Sequence, residues 1–214
     1  MLRFLFYFIF IVYLCCNCNI MKTENHSPKY KDIMQTAHDL FWKHGFKRVS
    51  VEEICRKAGV SKMTFYRFFP NKIELAKKVY TQEVDKGVYV FKTIMEEKSS
   101  SEEKMKKILM MKFEGTNNIS REFIMDFYSD QELGLKHFIE QKTTEVWQQL
   151  IQDFKTAQEK GIFRKDFKPE FILFLSQRIM DMLTDENLLK LYKNQQEVIM
   201  ELTNFFVYGI SPQE

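Results

Sequence analysis

The sequence predicts an all-α protein, and three observations carry that expectation. Apolar residues recur at i, i+3, i+4 and i+7 over most of the chain, the spacing that gathers them on one helix face. No run shows the period of two that marks a half-buried strand. Glycine is scarce, 7 in 214 residues, so the tight turns of β architectures have few places to form.

The first helical stripe is Ile33, Ala37, Leu40 and Phe41, stopped by Gly45. Ser50 followed by Glu53 then reads as a capping box opening a short helix, with Val51, Ile54 and Ala58 on one face. Ala58-Gly59-Val60 makes a corner, because Gly59 can take φ > 0 at no steric cost. A second short helix opens at the N-cap residue Ser61 and carries Met63, Thr64, Phe65, Tyr66 and Arg67. A helix, a tight glycine turn and a second helix bearing hydroxyls and cations predict a helix-turn-helix, whose second helix enters the DNA major groove. Ile54, Ala58, Val60, Phe65 and Phe68 are expected to hold the corner shut.

A long helix is expected from Asn71 to Glu97, and another restarts near Ser101 and runs through Phe113. Gly115 to Asn118 is a turn, followed by a short helix from Arg121 to Ser129 and a long one from Glu132 to about Lys160. Gly161 ends that helix, Pro169 suits the first turn of the next one over Glu170–Leu183, and Gln195–Tyr208 forms the last.

Charge divides along the same line. Lys22–Lys78 holds 13 Lys and Arg against 6 Asp and Glu, whereas Val79–Glu214 holds 18 against 23. A basic head on an acidic body suits phosphate binding, since Lys and Arg release the counterions condensed on DNA.

The run from Ile33 through Ala37, Leu40-Phe41, Gly45-Phe46, Ser50-Val51, Ile54, Ala58-Gly59-Val60-Ser61-Lys62 and Thr64-Phe65-Tyr66-Arg67-Phe68-Phe69-Pro70-Asn71-Lys72 to Leu75 resembles the DNA-binding domain of the TetR family of bacterial transcriptional repressors. Met63 departs from the small residue that many relatives carry there, which bears on the operator sequence and not on the family. The resemblance implies that Thr64 and Tyr66 contact phosphate or base edges, and that Lys72 and Ser50 contact phosphate. Chemistry adds Lys62 and Arg67 as cations on the second helix, Ser61 at its N-terminus, and Arg48 beside Ser50 as a backbone clamp.

Three domains are expected: a hydrophobic N-terminal extension over residues 1–21, read from its apolar run, and, as the resemblance implies, a DNA-binding domain over 22–75 and a helical ligand-binding and dimerisation domain over 76–214. It implies a homodimer on a palindromic double-stranded operator, formed by helices between about Pro169 and Tyr208. It further implies release by a small-molecule inducer, which the wealth of Phe and Met in the body suggests is apolar. Phe91, Met95, Met110, Phe113, Phe123, Phe127, Phe138 and Trp147 are the residue types that would line its pocket.

No enzyme is expected. The four histidines have no ligand-like spacing, and no glycine-rich phosphate loop or nucleophile motif is found, so neither a metal nor a cofactor is predicted. Residues 1–20 contain an apolar run of eleven, Phe4–Leu14, with the length of a signal-peptide core. Met21-Lys22 offers a later start, which is favoured because an operator reader belongs in the cytoplasm. A membrane partner would follow only if residues 1–20 are translated. The alternative function is a membrane-associated or protein-binding helical protein without an operator.

Overall fold

A computed structural model describes residues 27–128 and 134–212. Among them are ten helices: α1 (Pro28–His44), α2 (Val51–Lys57), α3 (Lys62–Phe68), α4 (Lys72–Glu96), α5 (Ser101–Gly115), α6 (Arg121–Tyr128), α7 (Leu135–Glu159), α8 (Pro169–Thr184), α9 (Glu186–Leu189) and α10 (Gln195–Ile210). Among the described residues the all-α expectation is met and the predicted helices fall close to their expected bounds; the expected end at Ser129 and start at Glu132 lie outside the described residues. The four-residue α9 was not foreseen. It forms because Asp185 accepts hydrogen bonds from the N–H groups of Asn187 and Leu188 at 2.8 and 2.9 Å.

The caps explain why these segments stop and start. Ser50 accepts from Glu53 N–H at 3.1 Å, but the Glu53 carboxylate turns to Lys57, so only half of the expected box is made. The full capping box sits at Ser100 and Glu103, one residue before the expected restart at Ser101. Asn71 and Asn194 cap α4 and α10 through the N–H groups of Glu74 and Glu197.

The chain divides into two compact units, with the divisions falling inside α4, between α5 and α6, and inside α7. One joins the described residues up to Gln82 with Asn118–Ile139; the other holds Glu83–Asn117 and the residues from Glu140 onward. The first unit therefore includes α6, which the contiguous span 22–75 does not. Its core is Ile33, Ala37, Leu40, Phe41, Phe46, Val49, Ile54, Phe65, Phe69 and Leu75, all buried. At the corner, Ile54 and Phe65 are sealed as expected. Phe69 takes the deep position expected of Phe68, stacking on Tyr30 with ring centroids 5.1 Å apart, while Phe68 is only half-buried. Ala58 and Val60 are also half-buried.

In the second unit α5 packs along α10, burying Ile108, Met111, Phe206 and Val207. Phe154 stacks between Phe91 and Phe163, at 5.9 and 4.9 Å. Lys104 is buried here, yet its ammonium is satisfied by the carbonyls of Ile94, Met95 and Glu97, at the C-terminal end of α4 and just beyond it. It acts as a C-cap from another helix. Burial pushes its pKa down, and the neighbouring Glu97 carboxylate partly opposes that.

Candidate nucleic-acid interface

The corner between α2 and α3 is built by backbone bonds. Gly59 adopts φ 65°, which lets Val60 N–H reach back to Cys55 C=O at 3.0 Å and close the end of α2. Ser61 then opens α3, accepting from Thr64 N–H at 3.1 Å and lying 3.0 Å from the Thr64 hydroxyl. With Phe65 turned fully into the core, a seven-residue helix must present the opposite side to solvent. That side carries Lys62, Met63 (85% exposed), Tyr66 (53% exposed) and Arg67, whose guanidinium lies 4.9 Å from the centre of the Phe68 ring. Thr64 is half-buried.

Lys62 has a partner that sequence reading missed. Its ammonium pairs with the Glu52 carboxylate on the first turn of α2, so each charge stabilises the other: the lysine pKa is raised and the glutamate pKa lowered. Both groups are solvent-exposed, so the pair is weak and a phosphate can displace Glu52. The bridge also brings the N-terminal ends of α2 and α3 together.

The loop between α1 and α2 carries Lys47, Arg48 and Ser50, all exposed. It is held from two directions. From α4, Lys72 donates to the carbonyls of Phe46 and Val49, each at 2.7 Å, and more loosely to Lys47 C=O at 3.5 Å. Its ammonium also lies 4.2 Å from the centre of the Phe46 ring. From α6, the Asp126 carboxylate accepts the Lys47 N–H at 2.8 Å. Burial lowers the Lys72 pKa and the Asp126 charge partly restores it. Lys72 is thus first a fastener of this loop, with one N–H loosely committed. Part of the head's positive charge goes to its own carbonyls, which a count of charges along the chain does not reveal.

Gly45 makes the second fastening possible. It sits at φ 77°, and a Cβ there would lie 2.6 Å from Asp126 Oδ2 and 2.9 Å from Glu122 Cβ. Trp42 C=O accepts Ser120 N–H at 2.9 Å, and the Trp42 ring packs on Phe123 at 4.2 Å.

The residues expected to line a ligand pocket scatter. Phe123 belongs to that α1–α6 core, in the unit of the head, and Phe138 packs edge-on against Tyr80 there at 6.4 Å. Met110 and Phe113 are exposed on the outer side of α5, and Trp147 is buried. The Phe127 side chain lies outside the described residues. Phe91 and Met95 do line a cavity, a cleft of about 160 Å³ that also touches Lys92, Asp153 and Lys160. Phe91 further borders an apolar pocket lined by Ile108, Phe154, Phe163 and Phe206, which sequence reading did not assemble.

A helical head with a capped recognition helix and a basic loop defines a helix-turn-helix DNA-binding protein. Comparison makes the class specific. Residues 33–79, the head from α1 to the first turns of α4, match the model of the bacterial regulatory proteins of the tetR family. It is 38% identical over 61 residues to the Transposon Tn10 TetC protein of Escherichia coli, a match spanning 28% of this chain and 31% of that relative. Two solved structures share the fold over nearly their whole length. The fatty acid degradation regulator FadR of Bacillus halodurans matches with a TM-score of 0.63 and 19% identity, covering 87% of this chain and 98% of its own. FadR of Bacillus subtilis, solved in complex with stearoyl-CoA, matches with a TM-score of 0.61 and 17% identity, covering 85% and 99%. The matched model is one of regulatory proteins, and the fold is shared with solved regulators.

Proposed function

We propose that this protein is a cytoplasmic repressor that binds a palindromic operator as a homodimer and is released by a small, apolar ligand. The observation that carries the DNA part is the outward side of α3, where Lys62, Tyr66 and Arg67 stand exposed while Phe65 is sealed beneath them. Arg48, Ser50, Ser61, Lys62, Thr64, Tyr66 and Arg67 are the proposed DNA contacts, with Lys72 joining them through its loosely held N–H. One short helix reads only a few base pairs, so a two-fold pair on a palindrome multiplies the readout.

Support for the dimer comes from large apolar side chains left in solvent on α8 and α10. Phe171 and Phe174 (64% exposed) lie one turn apart on α8, and Phe205 (79% exposed) and Tyr208 lie one turn apart on α10. Aromatic residues so exposed on two helices suit the core of a homodimer interface.

Support for an apolar ligand comes from the apolar lining at Phe91, Phe154, Phe163 and Phe206, which encloses only about 10 Å³, and from the stearoyl-CoA in complex with the Bacillus subtilis regulator. The separate cleft of about 160 Å³ is also smaller than the roughly 300–1,000 Å³ of ordinary ligand sites, so a long ligand requires the body to open around it. Among the described residues no helix is long and apolar enough to cross a membrane, and residues 1–20 lie outside them.

The test is selection of duplexes by the full chain from a random library. Enrichment of an inverted repeat, bound by two chains per duplex, is the expected result. Enrichment of no sequence, or of a single unrepeated half-site bound by one chain, would overturn the proposal.

A further inference from the structure

We infer that Asp126 of α6 is a positioning residue for DNA binding, acting through the loop between α1 and α2. The inference rests on the DNA-binding reading and goes beyond it, since it assigns a role to a residue 79 positions from the loop it holds.

The loop is short and irregular, and its polar groups must find partners outside it. Two opposite charges supply them. Lys72 takes carbonyls on one side, at Phe46 and Val49, and Asp126 takes the N–H of Lys47 on the other. Both partners are charged, and charge-assisted hydrogen bonds are shorter and stronger than neutral ones. The carboxylate also occupies the space above Gly45 where any other residue would place a Cβ, so the loop cannot carry a larger residue there while Asp126 stays. Between these fastenings stand Lys47, Arg48 and Ser50, with side chains in solvent. The arrangement fixes the backbone that aims them at phosphates, and Asp126 does so from α6 as a positioning residue that takes no place among the proposed DNA contacts. Lys72 alone holds only carbonyls. Without Asp126 the Lys47 amide loses its acceptor, and the loop gains freedom that must be given up again on binding.

Three variants test this in the full-length protein: Asp126→Asn, Asp126→Ala and Arg48→Gln. Hydrogen exchange reads the loop directly, and the Lys47 amide should exchange at least about tenfold faster in Asp126→Ala, the usual scale of a hydrogen bond to a charged group. On the duplex selected above, Asp126→Ala should bind about tenfold more weakly. Asp126→Asn, whose side-chain oxygen can still accept, should stay within about threefold. Removing Arg48 should cost little further affinity in the Asp126→Ala background, because its aim is already lost.

Binding of Asp126→Ala equal to that of the native chain would overturn the inference. So would equal losses in Asp126→Ala and Asp126→Asn that follow a fall in melting temperature, since the carboxylate would then serve packing alone. If the native chain selects no duplex, the DNA-binding reading fails first and this role fails with it. Faster exchange at Lys47 with unchanged DNA affinity would overturn only the positioning role.

Discussion

The two compact units put opposite chemistry into solvent. The unit of the head shows Arg48, Lys62, Tyr66 and Arg67 and hides nearly every large apolar side chain, with Met63 standing out. The other unit shows Phe171, Phe174, Phe205 and Tyr208. An exposed cation with hydroxyls nearby is at rest in water and gains by displacing counterions from phosphate. An exposed phenylalanine is not at rest, and gains by being covered. The difference teaches that one unit is finished for an ionic partner and the other for an apolar one, matching the proposed DNA and the proposed second chain.

The largest effect should come from reversing the logic of the head. Phe65→Ala opens a hole beneath the recognition helix and should cost about 3–5 kcal/mol, read by urea unfolding. An unchanged midpoint would mean that the corner does not depend on its buried ring. The next largest concerns the other unit. Phe174→Asp with Phe205→Asp should each weaken self-association by about 2 kcal/mol or more, giving a monomer by light scattering with its helical circular dichroism intact. Retained dimers would mean that these exposed aromatic rings are not where a second chain binds.

Two lysines sharpen it. Lys104 and Lys72 each satisfy carbonyls, so replacing either by Met should cost about 1.5–3 kcal/mol of stability. Lys104→Met should leave the affinity of the folded protein for DNA unchanged. Lys72→Met should lower both stability and DNA binding, because it frees the loop that bears Arg48. The smallest effects are expected on the surface of α3. Lys62→Gln should lower the slope of log affinity against log salt by about one, and Glu52→Gln should tighten binding by about two- to threefold, because it releases an exposed pair. Filter binding across a salt series measures both.

Much of this was legible in the residues. The stripe Ile33, Ala37, Leu40 and Phe41, the corner at Gly59 and the caps at Ser50 and Ser61 are local patterns, each fixed by neighbours within a few positions. Phe69 was passed over in favour of Phe68 because it lies past the end of α3, where the chain leaves the helical period that sequence reading follows. The pocket residues scattered for a related reason. Phe, Met and Trp mark apolar surface but do not say which partner covers it, and Phe123 goes to Trp42 while Met110 goes to water.

Taken alone, then, the sequence determined the longer helices and the helix-turn-helix with its caps at Ser50 and Ser61, because backbone hydrogen bonds within a helix reach only four residues and side-chain periodicity reports them directly. Tertiary structure alone decided what each charge is for. A lysine in a sequence is one positive charge. In the fold Lys104 closes α4, Lys72 and Asp126 fasten a loop from opposite sides, and Lys62 waits on Glu52. Those roles depend on approaches of a few ångströms between distant segments, and electrostatic and hydrogen-bond energies are set by such distances, not by order along the chain.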